Sequence, residues 1–243
     1  MNHMTLCTLM DIAALLSDGP VVTEAGTLYQ NRFLDSWYSR FQISGSYYDT
    51  NGIEKTMEAV KRVIPEGTSP LLSLYRPERE DAFVDWMEAH GAVLVNPQTA
   101  MQYDLSRITR PENSPATVIS RKNLQEWADC CAASFRKQDE YACFAQMYGH
   151  CRFYGVMQGG RITSTLMLNL VDGCAGLHEV GTRPEFRGRG QAGALVHQAL
   201  WDAREAGCTV GVLQASARGY PLYRRFGFTD CGVLYNFRWK HTP

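Results

Sequence analysis

Two stretches of this 243-residue chain combine residue types and spacings that could do chemistry. The first reads Arg183-Pro184-Glu185-Phe186-Arg187-Gly188-Arg189-Gly190-Gln191-Ala192-Gly193-Ala194. Gly188 and Gly190 let the backbone curve tightly. Ala192 and Gly193 keep the opening of the following helix bare, so several N–H groups can point at one anion with the helix dipole behind them. Arg187 and Arg189 add mobile positive charge, and the whole suits a pyrophosphate. The stretch is not a Walker loop, because no Gly-Lys-Ser/Thr follows, and it is not the GxGxxG dinucleotide fingerprint. It reads either as an ordered anion site or as a basic surface turn. Its place between apolar elements favours the first.

The second stretch is Tyr220-Pro221-Leu222-Tyr223-Arg224-Arg225-Phe226-Gly227-Phe228. Leu222 and Phe226 are four apart and can face a core. Tyr223 falls at the edge of that line, where a ring can be buried while its hydroxyl sits in a cleft. From spacing alone, a satisfied core tyrosine is the favoured reading. Arg224 and Arg225 read as solvated.

Other reactive side chains carry weaker signals. Eight cysteines show no CxxC and no zinc spacing, which reads as buried thiols in a reducing compartment and no metal site. Cys174 and Cys208 lack a Cys-His partner motif and read as packing residues. The aromatic run Trp37, Tyr38, Phe41, Tyr47 and Tyr48 could line a pocket or fill a core.

The elements that must hold these stretches can be read from periodicity and turn residues. Helices are expected near 5–17, in part of Thr27 to Tyr38, over Ile53 to Val63 after the Asn51-Gly52 turn, and over Glu78 to His90 closed by Gly91. Strands are expected at Leu71 to Tyr75, Ala92 to Val95 and Met101 to Leu105. Arg110 to Pro115, polar and twice interrupted by proline, is the expected linker. A helix capped by Ser120 runs to about Arg136, and another covers Asp139 to Tyr148. Arg152 to Gln158, Ile162 to Leu170 and Ala175 to Thr182 then form an antiparallel meander through Gly159-Gly160 and Asp172-Gly173 turns. A helix from Gly190 to about Ala206, a strand from Thr209 to Gln214, a short helix from Arg218 to Phe226 and a last strand or bent pair to Trp239 complete an α/β chain.

Charge narrows the partners. Lys and Arg total 24 against 25 Asp and Glu, a formal net charge of −1, which excludes a strongly basic nucleic-acid binder. Residues 174–243, which hold both stretches, carry nine basic against five acidic side chains, so that part can attract an anion. No apolar run reaches ~18 residues, and Leu6 to Leu16 is broken by Asp11 without a basic stretch before it. The expectation is a cytoplasmic protein that works on neither membrane nor nucleic acid.

In these residues the sequence resembles the GCN5-related N-acetyltransferase (GNAT) superfamily. In that family a strand leads into a Q/R-x-x-G-x-G/A loop, matched here by Arg187, Gly190 and Ala192 after Glu179-Val180-Gly181-Thr182-Arg183-Pro184. A later N-x-x-A-x-x-L-Y-x-x-x-G-F pattern reads as Ser216, Gly219, Leu222, Tyr223, Gly227 and Phe228, with Ser for Asn and Gly for Ala. The motifs lie about 30 residues apart with a strand between them, and the resemblance covers roughly residues 120–240.

The first half resembles the family more faintly. Val93 to Val95 and Met101 to Ser106 look like the end of a degenerate copy of the fold, with an unrelated cap as the alternative. The division implied is a degenerate GNAT-like domain at 1–112 and a catalytic GNAT domain at 113–243. The fold implied is a mixed, mostly antiparallel central sheet flanked by helices, preceded by a smaller α/β partial copy.

The function implied is N-acetylation of a primary amine by acetyl-CoA as cosubstrate, through direct attack and without a metal. A small-molecule acceptor leads. Protein N-termini or lysines, or a CoA-binding module without catalysis, are the alternatives, and a homodimer is left open. By resemblance, backbone groups of Val180, Gly181 and Thr182 pair with the pantetheine arm. The N–H groups of Gly188, Arg189, Gly190, Gln191 and Ala192 hold the pyrophosphate, with Arg187 in the loop and Ser216 beside the pantetheine. Tyr223 is the general acid, and Glu179 is either a base or water relay, or a structural or acceptor-binding carboxylate. His178 reads as a sheet histidine.

Overall fold

The computed structural model describes residues 4–23, 26–29, 40–43, 71–137 and 140–239. Two compact units divide the chain. One takes the residues up to Ala100 together with those from Cys231 onward; the other is Met101–Asp230.

The first unit begins with helix α1 (Met4–Leu16), followed by strands β1 (Val21–Thr23), β2 (Gly26–Tyr29), β3 (Arg40–Ile43) and β4 (Leu71–Arg76), helix α2 (Asp81–Ala89) and the long strand β5 (Ala92–Asp104), inside which the division falls. β1, β2 and β3 pair antiparallel in sequence, and β3 runs parallel to β4. Alternation along β4 sorts its side chains. Leu72 and Leu74 pack with Phe83 and Met87 of α2, while Tyr75 faces Leu9 and Met10 of α1.

Three expectations need comment here. Of the stretch from Thr27 to Tyr38, where helix is expected in part, Thr27 to Tyr29 are strand, paired with β1 and β3, and the rest lies outside the described residues. Ala92 to Val95 and Met101 to Asp104 belong to one continuous strand, in which Pro97 is exposed, and Leu105 opens a 3-10 turn beyond it. The helix expected over Ile53 to Val63 lies outside the described residues.

The second unit takes the end of β5, β6 (Ala116–Val118), α3 (Leu124–Phe135), α4 (Tyr141–Met147), β7 (Arg152–Gln158), β8 (Arg161–Val171), β9 (Cys174–Thr182), α5 (Gln191–Glu205), β10 (Val210–Ala215) and α6 (Tyr220–Phe226). The last strand, β11 (Thr229–Trp239), belongs from Cys231 onward to the first unit, within which Val233–Phe237 pair antiparallel with β4. β6 to β9 form the expected antiparallel meander, and β10 joins β9 in parallel. The turns are those the residue types demand. Gly159 and Gly160 have φ of 60° and 76°, and Asp172 and Gly173 have 48° and 75°, as a two-residue hairpin matched to sheet twist requires. The expectation of a mixed, mostly antiparallel sheet flanked by helices therefore holds.

Both faces of this sheet are covered. Leu195, Val196, Ala199 and Leu200 of α5 lie in one buried cluster with Tyr154, Leu166, Leu168 and Leu177. On the other face Trp127 of α3 stands edge-on to Phe144 and Phe153, at 4.9 and 4.8 Å between centroids. Its indole N–H donates to the Tyr154 carbonyl at 2.8 Å. Trp127→Ala is expected to cost about 3–5 kcal/mol, with further loss from the carbonyl left unpaired. Urea unfolding checks it, and a midpoint unchanged from wild type would contradict the packing described.

Candidate active site

The site begins where a ladder stops. β9 and β10 pair from Val210↔Cys174 to Val212↔Gly176. Both strands run on, β9 to Thr182 and β10 to Ala215, without further pairing to each other. The facing backbone groups of Leu177–Thr182 and Leu213–Ala215 are thus left for another partner. The cause lies on the opposite edge of β9. Thr165 pairs with Gly181, and Met167 with His178, so β9 carries one extra residue at Glu179–Val180. Glu179 takes φ of +51°, a left-handed conformation rare for a non-glycine residue. The Thr165 hydroxyl donates to its carbonyl at 2.8 Å. A bulge of this kind bends the strand and strengthens its local twist, which turns β9 away from β10.

Beyond Thr182 the chain enters the glycine loop. Arg183 is buried, its backbone N–H on Thr163 O (3.0 Å) and its Nε on Ile162 O (2.9 Å), which pins the loop's entrance to β8. Gly188 and Gly190 both have φ of +76°, and a Cβ at either would meet nothing within 4 Å. Glycine is required there by backbone conformation, and the side toward solvent is open. In α5 the Ala194 N–H bonds Gly190 O at 3.0 Å. The N–H groups of Gln191, Ala192 and Gly193 precede that bond and point out of the helix end.

The side chains of the loop have other tasks. Gln191 is buried, and its Oε1 accepts from Thr163 Oγ1 (2.9 Å) and Ser164 Oγ (2.7 Å), fastening the start of α5 to β8. Arg187 donates from Nε to Thr182 O (3.0 Å) and from Nη2 to Ser134 O (2.9 Å), tying the loop to β9 and α3. Arg189 donates to Glu185 O at 3.0 Å and lies over the Phe186 ring. Both guanidiniums are thus tethered to backbone, not mobile as the sequence suggested. Arg187 has its pKa drawn below the ordinary value, first by partial desolvation and then by the charges of Arg218 and Arg136. The loop therefore sits in a positive field from three arginines.

Tyr223 of α6 is buried in the same cluster as Leu177, Leu213 and Ala215, residues of β9 and β10 beyond the last paired position. Its ring packs against Phe228 at 5.7 Å. Burial pushes its hydroxyl pKa well above the usual tyrosine value, so it stays protonated. At Gly219 a Cβ would come 3.1 Å from the Tyr223 ring, so glycine there leaves the ring its place. Ser216 is exposed, and its Oγ accepts from the Gly219 N–H at 3.2 Å, at the start of α6.

Glu179 does not stand alone. Lys137, just past the end of α3, places Nζ 3.1 Å from each Glu179 carboxylate oxygen and 2.5 Å from Glu140 Oε2. The Cys131 thiol donates to Glu179 Oε2 at 3.1 Å. The Lys137 ammonium also lies 5.6 and 5.7 Å from the Phe135 and Phe144 ring centroids. Burial works against its charge, but Glu179, Cys131 and Glu140 outweigh it and hold its pKa above the ordinary value. Burial, then Glu179, pushes the Cys131 thiol well up. Neither Lys137 nor Cys131 belongs to a sequence motif; they lie 42 and 48 residues from Glu179 and meet it only through the fold. The α3 end can come this close because residue 181 is glycine, where a Cβ would be 2.8 Å from Ser134 Cβ and 2.9 Å from Phe135 Cε2. His178, neighbouring Glu179, is buried in the sheet.

Among the described residues no group of three or more His, Cys, Asp or Glu side chains could hold a metal ion, and no helix is long and apolar enough to cross a membrane. The side chains of the aromatic run from Trp37 to Tyr48 lie outside the described residues.

Residues 116–231 match the family described as "Acetyltransferase (GNAT) domain". No curated protein matches the chain. Among solved structures, the fold is similar to that of a GCN5-related N-acetyltransferase from Kribbella flavida, with a TM-score of 0.75, 16% identity, and coverage of 99% of this chain and 96% of that one. It is similar too to a putative GNAT-family acetyltransferase from Novosphingobium aromaticivorans, with a TM-score of 0.68, 17% identity, and coverage of 99% and 98%. A GCN5-related N-acetyltransferase from Sphaerobacter thermophilus gives 0.63 and 17%, over 91% of this chain and 82% of that one. At these identities the likeness is one of fold.

Two predictions follow from the site's geometry. Gly181→Val is expected to force α3 off β9, costing about 1–3 kcal/mol on the scale of overpacked contacts; a thermal unfolding curve identical to wild type would contradict the close approach. The second concerns pH. Cys131, Tyr154, Tyr223 and Lys137 all have folded pKa values raised above the unfolded ones. Their contribution to stability is complete below the unfolded values of about 8.5 for Cys and about 10 for Tyr and Lys, and is lost as pH rises through the folded values. Denaturant titrations should show these groups costing nothing from pH 6 to 8 and stability falling from about pH 9 upward. A profile flat to pH 11.5 would refute it.

Proposed function

From the match of residues 116–231 to the GNAT acetyltransferase family, we propose that the chain is an acetyl-CoA-dependent N-acetyltransferase acting on a primary amine of a small molecule, by direct attack in a ternary complex. The observation that carries the reading is the end of the β9–β10 ladder at Val212↔Gly176, directly ahead of a loop whose glycines turn N–H groups outward. An extended thiol arm needs unsatisfied strand edges, and a pyrophosphate needs clustered donors at a helix N-terminus. Both are present in one unit and adjoin in sequence.

Bound there, acetyl-CoA supplies an activated acetyl thioester. The chain's own part is positioning and electrostatics. The N–H groups of Gly188, Arg189, Gly190, Gln191 and Ala192 would hold the diphosphate, and Arg187, Arg136 and Arg218 keep the loop positive. Backbone groups of Val180, Gly181 and Thr182 would pair with the arm, and one of their N–H groups would meet the negative charge that grows on the carbonyl oxygen. Gln191 and Ser216 serve through backbone placement, since their side chains are engaged in fastening α5 and α6. Tyr223 fits a general acid: its raised pKa keeps the proton in place to be given to a leaving thiolate. Of the roles left open for Glu179, the contacts to Lys137 and Cys131 support the structural one. The attacking amine then arrives already neutral or loses its proton to water.

The test follows free thiol release from acetyl-CoA with a panel of small primary amines, peptide N-termini and lysine peptides. Turnover is expected with a small amine, and Tyr223→Phe is expected to lower kcat about 10²-fold while leaving acetyl-CoA affinity in calorimetry little changed. Tight acetyl-CoA binding without turnover on any acceptor would instead mark a regulatory CoA-binding module, and no binding at all would overturn the reading.

A further inference from the structure

We propose that Lys137 is a positioning residue of the transfer site: its ammonium locks the Glu179 carboxylate and so holds the left-handed bulge that parts β9 from β10. The inference rests on the proposed acetyltransferase reading for its kinetic consequence, but not for its structural one.

The starting point is a strained residue. Glu179 holds φ of +51° in the middle of a strand, a conformation that is costly for a non-glycine residue and persists only where the surroundings over-determine it. Each of its polar ends is fixed. Its carbonyl takes the Thr165 hydroxyl from β8. Its carboxylate takes the Lys137 ammonium on both oxygens and the Cys131 thiol on one. The side chain is about 10% exposed and that of Lys137 26%, so solvent screens the pair only in part.

Lys137 is itself fixed. Arg136 takes φ of +55° at the end of α3, and the Lys137 N–H bonds Ala132 O at 3.2 Å. The chain thereby turns back so that the ammonium lies between Glu179 and Glu140 and near the Phe135 and Phe144 rings. The groups facing Glu179 include Cys131 and Lys137 from the α3 side and Thr165 from β8, with Glu140 behind Lys137. With the cation removed, both Glu179 oxygens would lose the ammonium that fixes them. Glu179 would then leave its left-handed conformation, which loosens the bulge and its pairing with β8, and with it the fixed separation of β9 from β10. Lys137 touches no reacting atom in this account; it acts through Glu179.

The experiment compares Lys137→Met, Lys137→Arg, Glu179→Gln and the double variant Lys137→Met/Glu179→Gln. Amide hydrogen exchange of residues 178–182, read without ligand, is expected to quicken at least tenfold in Lys137→Met and to return to within twofold of wild type in Lys137→Arg. In turnover assays Lys137→Met and Glu179→Gln should each lower kcat by a similar factor with the amine KM little changed, and the double variant should be no worse than either single one. That double variant removes both charges, so it also reports if the single variant fails to fold. Exchange unchanged in Lys137→Met overturns the proposal. So does a Glu179→Gln variant that loses far more kcat than Lys137→Met, together with the acid limb of the pH profile, because Glu179 would then be the base. A wild-type protein that neither binds acetyl-CoA nor acetylates any amine would sink the acetyltransferase reading, while the exchange result would still decide the role of Lys137.

Discussion

One extra residue in β9 shapes the second unit. The pairing of β8 and β9 slips between Thr165↔Gly181 and Met167↔His178, and the slack is taken up by a glutamate in a conformation that glycine would adopt more cheaply. A regular β9 would continue its ladder with β10 to Ala215 and satisfy its own edge. The bulge withholds that satisfaction. Backbone polar groups that would be costly to leave unpaired are left facing one another at that edge, and the bulge beside them is held by contacts on the far side of the strand.

The glycine loop depends on the same edge of the sheet. Its entrance is held by Arg183 on β8, its exit by Gln191 on Thr163 and Ser164, and its middle by Arg187 on Thr182 and Ser134. With the side chains spent on anchoring, the loop presents backbone N–H groups outward, and Gly188 and Gly190 keep that side clear. An anion held by backbone donors needs little net protein charge, and the chain as a whole is at −1. The arginines near the loop add a local field, which a count over 243 residues averages away.

Legibility followed the range of the interactions. The meander, the glycine turns, α5 and the loop were visible because each is specified by neighbours in sequence: Asp172-Gly173 for a hairpin, Gly188 and Gly190 for a left-handed turn, Leu195 and Ala199 for a buried helix face. Tyr223 was visible as an edge-of-core position, and its burial agrees with that. Thr27 to Tyr29 were not legible as strand, because so short an apolar run carries no period and only pairing with β1 and β3 makes it one. The Glu179 contacts were not legible. A thiol, an ammonium and a second carboxylate from α3, its C-terminal turn and the start of α4 converge on a bulge whose existence no local pattern announces. The tethering of Arg187 and Arg189 was hidden for the same reason, since backbone acceptors have no sequence signature.

The roles proposed for Tyr223 and Glu179 rest on what surrounds each. Tyr223 lies in the buried cluster that also holds Leu177, Leu213 and Ala215, and burial alone raises its pKa, so it keeps its proton. Glu179, by contrast, is already paired. A carboxylate whose oxygens are occupied by an ammonium and a thiol gains little from a second proton, and to work as a base it would first have to break those contacts. The two side chains are thus held by opposite means, Tyr223 by an apolar setting and Glu179 by its polar contacts. Those settings are what support the roles proposed for them, an acid at Tyr223 and a structural carboxylate at Glu179.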